Sequence, residues 1–459
     1  MVIRNRQLSR RGLLGGAFGL AGAGLLTACG DGGGGGNGTS GGNESEPPED
    51  QGSPEEGKLV VWGGVAPEDG PQALVDAFTA KYPKIEVEYV RYVNNDEGNL
   101  KLDTALQGGV PIDIFFSYST PHIVRRSGAG LALDLTELAG QDDLTKELVQ
   151  GEPVSTKVDG KLFSIPTTYF PNFAVINEDA INKAGIEIPY DWTIEDYHQV
   201  ALALKGEGFH VGAYNVPRHA ATGLGGDYLY KEGGLESNFD HPLFRKRLED
   251  TLAWEDDGSI LTQEQMTAEG MSGYMQNHFL GGTYGMQLDG TIAMRYVKNL
   301  DEYPHDFRTT FRPYPMLGNG EPYINPGVRG DDVQIAAKSQ YQAAAWTFVK
   351  FWIDEGAPII SESGKVSPAQ FAAGPGNADL NAALFGPNAD DLFDVEAFEK
   401  TFYTDTPPLS VKTITTAYNE ISSIKSQAEG EIRLRTLSID DGLARMKEEA
   451  DAAIAKASE

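Results

Sequence analysis

The stretch GVRGDDV (327–333) sets Arg329, Asp331 and Asp332 around Gly330, with Gly327 just ahead, at the start of a strand. Two carboxylates and a guanidinium in such a place can pair with the hydroxyl groups of a polar solute, and they suit a charged or amino-bearing one equally. Trp62 and Glu68 follow the first apolar strand, and Ser117 and Tyr118 follow the third. In open α/β sheets the ends of strands are where ligands are met. Each of these residues also has a plainer reading: Trp62 as core, Glu68 as an acid at a helix start, GVRGDDV as a surface turn. Signatures of catalysis are missing. The sequence holds no G-x-S-x-G elbow, no H-E-x-x-H pair and no phosphate-binding loop. Its seven histidines (His122, His198, His210, His219, His241, His278, His305) have neither helical i, i+4 pairing nor metal-ligand spacing, so no metal, cofactor or catalytic group is expected. A glycosidase built on two carboxylates needs no fixed spacing and stays open at this level.

The only cysteine, Cys29, stands between an apolar run and a glycine run. Ahead of it lie Arg4, Arg6, Arg10 and Arg11 with no acid, then the apolar, glycine-rich run 13–28. Basic, apolar and small residues in that order make an export signal. The run falls short of the roughly 20 residues that a membrane-crossing helix needs. Within it, SRRGLL (9–14) resembles the twin-arginine export motif, with Leu13 where phenylalanine is commoner. LTAC (26–29) resembles the bacterial lipobox, in which the thiol receives a diacylglyceryl group and the chain is cut just before it. Residues 1–28 are therefore expected to be a signal peptide, with Cys29 the lipidated first residue of the mature chain. Residues 29–57 are Gly, Ser, Asn, Glu and Pro with little to bury, a flexible tether reaching roughly 30 Å.

All 67 acidic side chains come after the leader and 33 of the 37 basic ones do, which leaves the mature chain about 34 negative charges in surplus. Such acidity argues against nucleic acid or anionic lipid as a partner. With 40% hydrophobic residues there is material for a sizeable core, and the length suggests two or three lobes.

The elements that must position these residues begin with KLVVW (58–62), a strand. Leu74, Val75, Phe78 and Tyr82 then recur at helical spacing until Pro83, and Ile85, Val87 and Tyr89 alternate as in a strand. PIDIFFSYS (111–119) reads as a third strand. Strand, helix, strand, helix, strand predicts an α/β body with a mainly parallel sheet. Later, AAAWTFVKFWID puts Ala345, Phe348, Val349 and Trp352 on one helical face.

Several segments resemble one family. GKLFSIPTTYFPNFAVINEDAINKAGIEIP (from Gly160), FLGGTYGMQLDGTIAM (279–294) and YPMLGNGEP…GVRGDDVQIAAKSQYQAAAWTFVKFWIDEGAP resemble, in order and spacing, the bacterial extracellular solute-binding proteins of the maltose-binding type. The resemblance implies a two-lobe periplasmic-binding-protein-like fold with the ligand between lobes. Lobe one would be 58–167 and 313–366, lobe two 168–312 and 367–459, with crossovers near 166–169, 311–315 and 367–368. It adds Thr168, Tyr169 and Asn172 at the first crossover, and Asp289 before Gly290, to the ligand-binding set. It also implies a non-enzymatic, sugar-binding, monomeric lipoprotein on the outer face of the cytoplasmic membrane, delivering solute to the permease subunits of an ABC importer. Two stacking rings common in sugar-binding relatives are missing: Arg329, Asp331 and Asp332 occupy one place, and Thr291 and Ile292 the other.

Overall fold

The structure is a computed structural model and describes residues 53–150, 154–271, 276–318, 323–404 and 409–458. The export signal, Cys29 and all but the last five residues of the expected tether lie outside them. Residues 50–459 form one compact unit.

KLVVW lies in strand β1 (Gly57–Gly63), which pairs in parallel with β2 (Ile85–Arg91) and with β3 (Ile114–Ser117). Between them run helix α1 (Pro71–Lys81), with proline at its first position, and α2 (Asp96–Gln107), whose N-terminus is capped by Asn95 accepting from the Gly98 amide at 2.9 Å. A third helix, α3 (Thr120–Gly128), follows β3 directly.

The chain then supplies β4 (Ile165–Phe170), β5 (Phe173–Asn177), β6 (Val211–Ala213), helix α4 (Pro242–Asp257), β7 (Tyr284–Asp289), β8 (Thr309–Pro313) and β9 (Val328–Ile335). These make two sheets, ordered β2-β1-β3-β9-β4 and β6-β7-β5-β8. The first sheet is less parallel than the sequence suggests, because β9 runs antiparallel to both neighbours. The reason is directional. β1, β3 and β4 run towards the second sheet, whereas β9 arrives from it and runs away.

Both faces of the first sheet are covered. Leu59, Val61, Ile114, Phe116, Val333 and Ile335 share one core with Phe78 of α1 and with helix α5 (Gln342–Ile353). All four residues that the helical spacing aligned on α5 are buried there, with Phe348 edge-on to Phe78 at 4.8 Å. Val60, Phe115 and Trp62 face a second cluster. The other sheet packs on one side against the 188–204 region and on the other against the aromatic segment 371–402. Helix α6 (Tyr418–Arg433) and the last helix (Ile439–Ala457) close over α4. No helix among the described residues is long and apolar enough to cross a membrane.

The sheets are joined where Tyr169 sits opposite Arg329 and donates its amide to the Val366 carbonyl at 2.7 Å. Three passages of the chain meet in that one hydrogen-bonded row. Beside it the Asn325 side chain accepts from the Asn172 amide (2.9 Å) and donates to the Asn172 carbonyl (2.7 Å), pinning the β4–β5 link.

Candidate ligand cleft

GVRGDDV forms the body of β9 rather than a turn. Alternation along the strand divides its charged residues. Arg329 pairs with Glu147 at 2.6 Å, beside a 350 Å³ cavity also lined by Tyr169, Phe371 and Pro368. Asp331 adopts a left-handed backbone (φ 50°), unusual for a residue with a side chain. Its carboxylate is bonded to Lys365, and its carbonyl accepts from Thr167 at 2.8 Å. Asp332 points to the opposite face, is 6% exposed, and accepts from Ser164 at 2.7 Å. Burial pushes its carboxyl up to about 7, opposed by the Ser164 hydrogen bond and the Lys412 charge and aided by Asp331.

Tyr118 belongs to the Asp331 group. Lys365 lies 5.5 Å from its ring centre, and its hydroxyl accepts from the Gly64 amide at 2.6 Å. Tyr89 donates to the Val65 carbonyl at 3.0 Å and Tyr92 to that of Phe116 at 2.9 Å; the Asp331 charge raises the pKa of all three tyrosines, after burial as the main cause. The ends of β1 and β3 thus carry a tyrosine cluster around a carboxylate–ammonium pair. Gly64 is required here, since an added Cβ would come within 2.8 Å of the Tyr118 ring.

From the second sheet comes Asp289, at the end of β7. It accepts from Gln276 (3.0 Å), Gln287 (3.1 Å) and the Gly290 amide (2.9 Å), and burial pushes it up to about 6. Thr291 and Ile292 are buried, with the Thr291 hydroxyl donating to the Gly364 carbonyl at 2.7 Å, so the connection that carries Lys365 is seated on the second sheet. Lys412, whose charge reaches Asp332, stands on a loop held by its neighbours. Ser410 donates its amide to the Asn325 carbonyl and its hydroxyl to that of Gly327, while the Asp227 carboxylate accepts from the amides of Thr413 (2.7 Å) and Ile414 (3.0 Å).

Other candidates stand apart. Trp62 is 8% exposed among Tyr92, Leu102, Leu106 and Phe115, which gives it a full account as core. Ser117 is fully buried, donating to Gln334 at 2.6 Å and accepting from Arg126 at 2.7 Å in a network that Asp103 completes. Tyr169 stacks on Phe371 with ring centres 3.8 Å apart. Thr168 is buried on β4 opposite Gly330, Asn172 is engaged through its backbone, and Glu68 is exposed in the turn after β1. Next to Glu68, Asp69 reaches Arg295 at 3.5 Å, and from the other side Asn419 of α6 donates to the Pro121 carbonyl of α3 at 3.0 Å. Both contacts bridge the two halves of the fold. Sequence reasoning passed over Lys365, Lys412, Ser164 and Arg295; Ser164 lies in the GKLFSIP segment that carries the resemblance, and the other three lie in no quoted motif.

Two α/β halves, three chain passages between them, and polar side chains converging from the strand ends of both define a two-lobed binding protein that holds its ligand in the cleft. Residues 65–357 match the family model of the bacterial extracellular solute-binding proteins, and the chain belongs to that family. Solved structures agree on the fold. A sugar transporter protein from Rhizobium etli in an open conformation superposes with a TM-score of 0.65 at 21% identity, over 86% of this chain and 99% of its own. An ABC substrate-binding protein of Listeria monocytogenes in complex with cycloalternan gives 0.68 at 18%, over 87% and 99%. The GacH receptor of Streptomyces glaucescens, solved unliganded and with acarbose, gives 0.66 at 18%, over the same shares.

Proposed function

We propose that this protein captures a sugar or oligosaccharide outside the cell and delivers it to the transmembrane subunits of an ABC importer, without chemical change to the solute. The observation that carries this reading is the set of polar groups that strand ends and loops of the two lobes bring near one another. Asp332 on β9 feels the charge of Lys412 of the second lobe, while Tyr118, Asp331 and Lys365 stand together near the ends of the first-sheet strands. A carboxylate that accepts and an ammonium that donates can each take a sugar hydroxyl, and a tyrosine ring offers an apolar face to sugar C–H groups. Two of the three proteins named above were solved with cycloalternan and with acarbose, which supports a saccharide here.

In this reading the lobes are 58–167 with 313–366, and 168–312 with 367–459. The ligand set comprises Tyr118, Asp331, Asp332 and Asp289 from the sequence reading, with Lys365, Ser164 and Lys412 added. Cys29 carries the lipid anchor after twin-arginine export, and the protein works as a monomer at the outer face of the membrane. Thermal-shift screening against neutral sugars and oligosaccharides, followed by calorimetric titration of each hit, tests the function, because a ligand that binds only the folded state raises the melting temperature. No shift with any saccharide, or shortened products after incubation, would reject it. Metabolic labelling with an alkynyl fatty acid tests the anchor: wild type should be labelled and Cys29→Ala should not.

A further inference from the structure

Between α4 and α6 lies a cavity of about 300 Å³, at the lower end of the range that holds small-molecule ligands. Four cationic side chains line it, Arg218, Arg247, Lys412 and Lys425, against a single carboxylate, Glu429. Glu429 is taken up by Arg247 at 3.0 Å and Lys425 at 2.9 Å. Arg218 and Lys412 are left over. Among the described residues, neither side chain has an ion-pair or hydrogen-bond partner.

This surplus of positive charge stands out in a chain with net charge −30. The charges of Asp332 and Asp227 favour the Lys412 ammonium, but neither carboxylate is bonded to it. Instead the loop 410–414 is tied down at both ends, by Ser410 on Gly327 and by Thr413 and Ile414 on Asp227, with Lys412 between. Burial holds the Lys412 ammonium below its ordinary pKa, and Arg218 lowers it further, so the pair is held together against its own repulsion. Groups set at such an electrostatic cost are commonly functional. The remaining walls, Tyr228, Phe244, Pro326 and Tyr418, suit the apolar faces of a sugar ring.

We propose that the solute is an acidic saccharide, and that its carboxylate sits between Arg218 and Lys412. The proposal rests on the saccharide reading given above and narrows it. Arg218 offers a planar fork of donors that matches a carboxylate, and Lys412 a compact charge, so the pair selects an anion over a neutral hydroxyl. Asp332, on the facing lobe, repels an entering anion less than an ordinary aspartate would, because burial favours its neutral form.

The test is calorimetric titration of the full-length protein with glucuronate- and galacturonate-containing di- and trisaccharides, with their neutral counterparts, and with succinate as a carboxylate that is no sugar. The expected result is that an acidic saccharide binds at least about tenfold more tightly than its neutral counterpart, and that added salt weakens it. Arg218→Gln and Lys412→Gln should each lower that affinity about 10- to 100-fold without lowering the melting temperature, and Lys412→Arg should restore most of it. Equal binding of acidic and neutral forms, or unchanged affinity in both glutamine variants, overturns the proposal and leaves the saccharide reading standing. Binding of nothing in the set overturns the proposal alone, and binding of succinate with no saccharide bound in the wider screen overturns both.

Discussion

A single carboxylate, Asp332, makes the cleft sensitive to pH. Its folded-state pKa is raised from 3.8 to about 7, so between those values the folded protein keeps a proton that the unfolded chain has released. Stability from this group therefore falls as pH rises from about 4 to about 7. Asp332→Asn preserves an acceptor for the Ser164 hydroxyl and removes the charge. It should melt higher than wild type at pH 8, with the gap closing towards pH 4; thermal melts of both proteins across that range read the effect. The neighbouring Asp331–Lys365 pair gives a second expectation. Lys365→Met leaves the more exposed partner, the Asp331 carboxylate, without its ammonium, whereas Asp331→Asn leaves the more deeply buried Lys365 ammonium without its counter-charge. Asp331→Asn should be the more destabilising of the two in parallel urea titrations.

At the scale of elements, the strands and helices that carry a regular pattern could be read directly. The i, i+3, i+4 recurrence of Ala345, Phe348, Val349 and Trp352 is the pattern of a helix face, and α5 buries all four. Phe348→Ala in that core should cost about 3–5 kcal/mol in equilibrium unfolding, with cleft residues untouched. GVRGDDV was legible as an anomaly, since glycine and three charges do not belong in a buried strand. Its division between two faces was not legible, because it needs the register with β3 and β4. Trp62 shows the converse. A ring at a strand end suggests a ligand wall, but a sheet covered on both faces has core on either side, and α2 supplies it. Lys412 and Arg218 lie in loops without periodicity. Contacts such as that of Thr413 with Asp227, 186 residues apart, position them, and no local pattern encodes such a distance.

At the scale of the whole molecule, the two lobes meet away from the three-passage junction through Asp69–Arg295 on one side and Asn419–Pro121 on the other. The Asp69–Arg295 pair is partly exposed and worth little to overall stability, roughly 0–1 kcal/mol. Yet even half a kilocalorie shifts a two-state balance more than twofold. Arg295→Ala should therefore leave the melting temperature within a degree or two while moving the unliganded ensemble towards the open form. Small-angle X-ray scattering should record a larger radius of gyration than wild type, and saturating ligand should restore the wild-type value.

The position of β9 also bears on how the chain is made. This strand sits in the interior of the first sheet, and the hydrogen bond from Ser117 to Gln334 joins residues 217 apart. While the polypeptide emerges from the ribosome, β3 and β4 are present long before the strand that separates them, and nothing yet occupies the space between their edges. Every strand of the second sheet has been synthesised before β9 begins. The sheet that starts first is thus finished last, by a closure across a long loop, which is slow. In the interval its open edges can pair wrongly with other chains. A nascent chain with this order of assembly benefits from a holdase until residue 335 has been added, and from an export route that waits for the completed fold.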